Sequence, residues 1–295
     1  MADSKAFVLN RIKHLNVWRR GEERAPHKPL LILLSLARIT RGCERLTPFG
    51  ELQKPLSELL RHYGIPGRRV HPEYPFWWLR SDKIWEVPNA ERLPRRSGDR
   101  EPLKSELVKC GIQGGFTAPV YELLRNDNRF VVEVARILLD GHFPATLHED
   151  ILNEIDLPFP LAERYPRDAN FRNNVLRAYQ HCCAVCGYDL KIGQSDFALD
   201  AAHIKWHVAG GPGVVSNGLA LCTIHHKALD YGALGLADDQ TILISSELHG
   251  KTFINEWFLR FKGKPVRAPG RSEWAPDPDQ IAWHAKWVFK NPAVE

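Results

Sequence analysis

Between Cys183 and Asp230 the chain gathers the residue types that hold metal and move protons. Two residues separate Cys183 from Cys186, and two separate Cys222 from His225. That spacing lets a tight turn present both side chains to one ion. Three thiolates and one imidazole form a closed tetrahedral set that suits Zn²⁺ better than hard cations, so a structural zinc clamp is expected on these four residues. Cys182, one step out of register, is expected to be a buried thiol, as are Cys43 and Cys110.

His203, Asn217 and His226 lie between and beside the two ligand pairs. Hydrolysing a phosphodiester takes a base to activate water, a divalent ion to stabilise developing charge, and a group that fixes the base. His203 can take the proton, His226 can hold the ion, and the Asn217 side chain can fix the loop that orients His203. The catalytic ion is expected to be Mg²⁺, Mn²⁺ or Co²⁺.

Those residues need a scaffold. Leu199 to Ile204 reads as a strand that ends on His203. Leu219 to Cys222 begins the turn into a helix carrying His225, His226, Leu229 and Asp230. A helix from Arg167 to Tyr179 leads into the first cysteine pair, and the tail from Thr241 to Phe289 supplies further apolar surface. The clamp then pins a hairpin to a helix.

Cys183-x2-Cys186, Ala-Ala-His203-Ile, Gly210-Gly211, Asn217, Leu-Cys222-x2-His225-His226-Lys227 and Asp230 together resemble the HNH, or ββα-metal, nuclease family. The flanking tail is similar to that of McrA-type restriction nucleases. The resemblance implies a hairpin and helix around one catalytic divalent ion, with zinc outside the chemistry. It makes His203 the general base, Asn217 the base-orienting residue and His226 a metal ligand. Many family members carry Asp or His directly before the base as another ligand, whereas this chain has Ala202. Asp200, two residues back along the strand, is the candidate substitute.

The first half has a different character. Residues 5 to 20 alternate apolar and basic at helical spacing, and His27-Lys28-Pro29 opens an apolar run to Ala37 that reads as a helix buried nearly all round. His27 and Lys28 are expected at its surface entrance. Further helices are expected at 49–62, from Ser105, at 119–125 and at 128–139. Between Gly67 and Trp85, Tyr74-Pro75-Phe76-Trp77-Trp78-Leu79 and Ile84-Trp85 read as two short strands joined by a turn.

His27-Lys28-Pro29-Leu-Leu, His71-Pro-Glu-Tyr74-Pro75-Phe76-Trp-Trp-Leu and Ile84-Trp85 resemble the sulfur-binding domain that recognises phosphorothioate-modified DNA in type IV restriction enzymes. A non-bridging sulfur is larger, more polarisable and less strongly hydrated than oxygen, and so prefers an apolar cup. The resemblance implies a cup of Tyr74, Pro75 and Phe76 with Trp78 near. His27, Lys28, Arg68, Arg69 and the more distant Arg19, Arg20 and Arg100 would hold the surrounding phosphates, and His71 belongs to the same DNA- and sulfur-binding set. Arg often stands in the family where this chain has Lys28, which gives up bidentate geometry.

Composition agrees with a folded, two-domain chain. The 295 residues are 44% apolar and 25% charged, with a net charge of +5. Residues 1 to 150 hold 25 Lys and Arg against 19 Asp and Glu, so the basic excess sits in the first half, as an anionic partner such as double-stranded DNA would favour. Six scattered cysteines exclude a disulfide framework. No apolar run spans a membrane and no secretory pattern opens the chain, so a cytoplasmic protein is expected.

The expected fold class is α+β, with a mixed DNA-recognition domain at 1–150, a linker at 151–165 and a zinc-stabilised ββα-metal nuclease domain at 166–295. Proline-bearing residues 141 to 160 mark the boundary. The expected function is a modification-dependent DNA endonuclease, working as a homodimer if both strands are cut. A methylated base such as 5-methylcytosine is the alternative trigger, and a non-catalytic zinc DNA-binding protein the alternative class.

Overall fold

The computed structural model describes residues 2–16, 26–93, 101–157 and 169–290. The chain divides into two compact units, Met1–Pro160 and Leu161–Glu295. Arg19, Arg20, Arg100 and the start of the helix expected from Arg167 lie outside the described residues.

The first unit is built on the helix His27–Thr40. Leu30, Leu31, Ile32, Leu33 and Leu36 are all fully buried, because apolar residues occupy every face of the helix rather than one stripe. Helices Phe49–Tyr63, Glu73–Trp78, Ala118–Arg125 and Asn128–His142 pack around it. A small antiparallel sheet sets Gln113–Phe116 between Thr47–Pro48 and Trp85–Glu86. Helix and strand are mixed as the composition implies, with helix dominant.

Two expectations change here. The aromatic stretch is not a strand but the helix Glu73–Trp78, running into a 3-10 turn at Leu79–Asp82. Pro72 precedes the helix and Pro75 falls in its first turn, where no backbone donor is needed. Phe76 and Leu79 then face the core while Tyr74 and Trp78, four apart, face out. The expected linker, 151 to 165, also begins inside a helix. Pro144 starts a further helix, Ala145–Glu154, which buries Leu147, Ile151 and Leu152 in the first unit.

In the second unit, helix Ala169–Ala178 packs on the antiparallel hairpin of Leu199–His203 with Gly218–Cys222. Helix Thr223–Asp230 follows at once, and a hairpin of Leu234–Leu236 with Ile242–Ile244 and the helix Pro278–Trp287 enclose it. The core runs through Val175, Leu176, Leu199, Leu219, Leu221 and Leu229 and includes Cys183 and Cys222. This is the strand, strand, helix order expected around the clamp. Among the described residues, no helix is long and apolar enough to cross a membrane.

Candidate functional site

The four expected zinc ligands converge. One ligand atom from each of Cys183, Cys186, Cys222 and His225 lies within 4.8 Å of the others. Gly187, in the left-handed region at φ 76°, closes the turn by donating its amide to the Cys183 carbonyl at 2.9 Å. Cys183 and Cys186 are stitched to the hairpin where the Ala184 amide meets the Ala220 carbonyl at 2.7 Å. His225 Nε2 donates to the Trp257 carbonyl at 2.7 Å, so Nδ1, 3.2 Å from Cys222 Sγ, is the nitrogen offered to an ion.

The electrostatics suit a cation. Hydrogen bonds from Cys186 and Cys222 push the Cys183 thiol far below its ordinary range, while contacts with Cys183 and Cys222 push Cys186 up. Burial works against a charge on His225, yet bonds to Cys183, Cys222 and Trp257 push it up to about 10. A thiolate beside an imidazolium is a set of donors that a soft divalent ion can enter by displacing protons. The residues fit zinc.

His203 closes its strand opposite Gly218. Its ring stacks on Phe171 with centroids 3.8 Å apart, and His207 stands 5.7 Å away. Asn217, next to Gly218 in the chain, is fully buried. Its side chain accepts from the Lys205 amide at 2.8 Å and donates to the Lys205 carbonyl at 3.0 Å and the Pro212 carbonyl at 2.9 Å. Both ends of the loop after His203 are thereby tied to one side chain. Gly211 is required there, because a Cβ would come within 1.9 Å of the Lys205 oxygen.

His226 sits one residue past the zinc ligand, half-buried, with Nε2 3.4 Å from Asp230 Oδ2. The Asp230 carboxylate is 3% exposed, on the same helix face one turn on. Asp200 is placed differently from its expected role. Arg172 Nε and the Ala201 amide both donate to Asp200 Oδ1, at 3.0 and 2.9 Å. Its carboxylate is held by the Arg172 guanidinium in an ion pair that anchors the strand. Ala202 is fully buried and brings no donor to that ligand position. For the catalytic ion the fit is partial: His226 and Asp230 are adjacent donors, and a hard ion that keeps several waters needs few protein ligands.

The sulfur cup is also redrawn. Phe76 is fully buried, edge-on to Phe49 at 5.0 Å and to Trp85 at 6.0 Å, and Pro75 is buried beside it. Phe76 does not reach solvent, and with Pro75 it packs into the core. Tyr74 and Trp78 are 38% and 37% exposed. His71 stacks on Tyr74 at 4.4 Å and bonds the Glu73 carboxylate at 2.7 Å. Burial, then the charge of and hydrogen bond to Glu101, raise the Tyr74 phenol above its ordinary range, so it stays a donor. Arg68 and Arg69 are exposed just upstream, and His27 is half-buried.

Lys28 is not at the surface. Its side chain is 8% exposed and Nζ donates to Asp82 Oδ2 at 2.6 Å and to the Asn16 carbonyl at 2.5 Å. Asp82, 2% exposed, also accepts from the Asn16 amide at 2.5 Å. From the second residue of the helix the Lys28 stem runs inward, and its ammonium is engaged in this buried network.

Sequence reasoning did not single out Phe171, Arg172 or His207, and it left Asp230 without a role. The i,i+4 spacing of His226 and Asp230 was a usable signal. Phe171 and Arg172 carried none, since they meet the strand only through the packing of a separate helix.

One chain thus joins a hairpin-and-helix unit carrying a closed Cys3His cluster to a helical unit that exposes aromatic and basic side chains. Residues 5–159 match the family model of the ScoMcrA-like DNA sulfur-binding domain, and residues 183–237 match that of the HNH endonuclease. The chain belongs to the ScoMcrA-like sulfur-binding domain family and carries an HNH endonuclease domain.

Among solved structures it is similar to the sulfur binding domain of ScoMcrA complexed with phosphorothioated DNA. The identity is 29% over 50% of this chain and 96% of that one, with a TM-score of 0.45. It is also similar to the type IV phosphorothioation-dependent restriction endonuclease ScoMcrA, at 28% over 49% of this chain and 27% of that chain, with a TM-score of 0.42. The modification dependent TagI restriction endonuclease is 27% identical over 43% of this chain and 40% of that chain, with a TM-score of 0.34. No curated protein matches the chain.

Proposed function

We propose that the chain docks on phosphorothioate-modified duplex DNA through its first unit and hydrolyses phosphodiester bonds near the modification with its second. The observation that carries this reading is the joining, in one chain, of a DNA sulfur-binding domain over 5–159 with an HNH endonuclease domain over 183–237. A reader of sulfur-modified DNA coupled to a cutter of DNA has its target and its chemistry on one polypeptide.

In the nuclease unit, His203 acts as the general base and removes a proton from the attacking water. Asn217 keeps the following loop, and with it the imidazole, in one arrangement. His226 and Asp230 would hold the catalytic divalent ion, with Asp230, 3.4 Å from Nε2, fixing the ring orientation of His226. When bound, that ion neutralises charge that develops on the phosphate and the leaving oxygen. Zinc at the four-residue cluster ties the hairpin to the helix and takes no part in the chemistry.

In the recognition unit, Tyr74, Trp78 and the His71 ring form the apolar face that receives sulfur, with Arg68 and Arg69 on neighbouring phosphates. Two copies of the chain, each cutting one strand, would give a double-strand break.

The test is digestion of phosphorothioated and plain duplexes of one sequence with Mg²⁺, Mn²⁺ and Co²⁺ in turn. Cleavage confined to the modified duplex, lost in His203→Ala with binding retained, is the expected result. Equal cutting of both duplexes, or cutting directed by 5-methylcytosine, would overturn the proposed trigger, and full-rate cutting by His203→Ala the proposed base.

A further inference from the structure

An imidazole at the end of a strand, with nothing packed on its face, samples a broad range of its last torsion. A general base that must meet one water cannot do so. In this chain His203 lies flat on Phe171, with centroids 3.8 Å apart and planes 10° from parallel. Phe171 is 4% exposed and belongs to the helix Ala169–Ala178, ahead of the zinc clamp and outside the HNH match at 183–237.

The approach of that helix is built into the strand pair. His203 pairs with Gly218, and a Cβ at Gly218 would meet Val175 Cγ2 at 2.5 Å and Phe171 Cζ at 3.1 Å. Both contacts lie below ordinary van der Waals separation, so glycine opposite the base is what admits the aromatic ring. The next residue, Arg172, bonds Asp200 and the Leu199 carbonyl at the start of the same strand, each at 3.0 Å. Two consecutive helix residues therefore hold the strand, one at its start and one at its end.

We propose that Phe171 is a positioning residue for His203, fixing the plane of the imidazole so that one ring nitrogen faces the attacking water. The catalytic consequence rests on the nuclease reading above, while the stack itself does not. Phe171→Leu and Phe171→Met keep apolar bulk and remove the flat face; Phe171→Tyr keeps the face.

Two measurements on the zinc-loaded full chain test it. The first is NMR of ¹³C-labelled histidine, with the His203 signal identified by its disappearance in His203→Gln. A ring stacked face to face shields its neighbour, so the His203 ring protons are expected upfield in wild type and Phe171→Tyr, and to move downfield in the Leu and Met variants. The second is single-turnover cleavage. The saturating rate is expected to fall roughly 10- to 100-fold in the Leu and Met variants, with the half-saturating DNA concentration unchanged and the Tyr variant restored, since angular misplacement of a base costs rate and not binding. Zinc content and melting temperature report whether each variant has folded. His203 signals that ignore the loss of the ring, or full-rate cutting by a folded Leu or Met variant, would overturn the proposal. A wild-type chain that cuts no DNA would instead count against the nuclease reading, and the NMR comparison would still decide the stack.

Discussion

Lys28 offers the sharpest test, because two roles for it predict opposite results. If Lys28 holds a DNA phosphate, Lys28→Ala lowers DNA affinity and leaves stability alone. The structure instead buries its ammonium against Asp82, with side chains 8% and 2% exposed. Removing Lys28 leaves a carboxylate in the interior with, among the described residues, the Asn16 amide as its remaining partner in that network. Breaking one side of a buried pair costs about 3–5 kcal/mol, most of it the desolvated charge left behind. For a unit of this size each kcal/mol moves the melting temperature by about 2–4 °C, so a fall of about 10 °C is expected.

The double variant Lys28→Met with Asp82→Asn separates the readings further. The carboxamide introduced at position 82 keeps an oxygen for the Asn16 amide and offers an N–H toward the Asn16 carbonyl that Lys28 now satisfies. No buried charge remains, so most of the lost stability returns. Thermal melts by circular dichroism and anisotropy titrations with phosphorothioated duplex are the assays. Recovery of DNA affinity along with stability is expected. Lys28→Ala with an unchanged melting temperature and lost binding, or a double variant that is stable yet still does not bind, would refute the argument.

Other outcomes follow from the second unit. Asn217→Ala removes three hydrogen bonds, two of them buried, around Lys205 and Pro212, and should cost about 3 kcal/mol in chemical denaturation and nearly all cleavage. Cys222→Ser should lower zinc, measured by mass spectrometry, from one ion per chain and unfold the second unit in near-ultraviolet circular dichroism while the first still melts cooperatively. Zinc affinity should rise with pH, because the ion displaces the proton that His225 holds up to about pH 10; pH-independent affinity would contradict that ligand set. Asp200→Asn should retain cleavage within a few-fold, since Arg172 holds that carboxylate; a folded variant that has lost all cleavage would return Asp200 to the catalytic ion.

Features that depend on local spacing were legible in the amino-acid order alone. Two residues between ligand pairs fix a tight turn whatever surrounds it, so the zinc set was readable from Cys183, Cys186, Cys222 and His225. The continuous apolar run after Pro29 likewise announced a helix buried on all sides. His203 and Asn217 stood out through the motif that resembles the HNH family, and the structure shows the Asn217 side chain bonded to both ends of the loop after His203.

What turns on direction was settled only when the elements packed. The same aromatic letters from Tyr74 to Leu79 serve a strand or a helix, and the packing of Phe76 against Phe49 and Trp85 selects the face that goes inside. Whether Lys28 meets a phosphate or Asp82, 54 residues away, depends on where a second helix delivers a carboxylate. Asp200 meets Arg172, carried in on a separate helix, for the same reason. Phe171 against His203 is the limiting case, a contact between distant segments that no spacing encodes and that a missing Cβ at Gly218 admits.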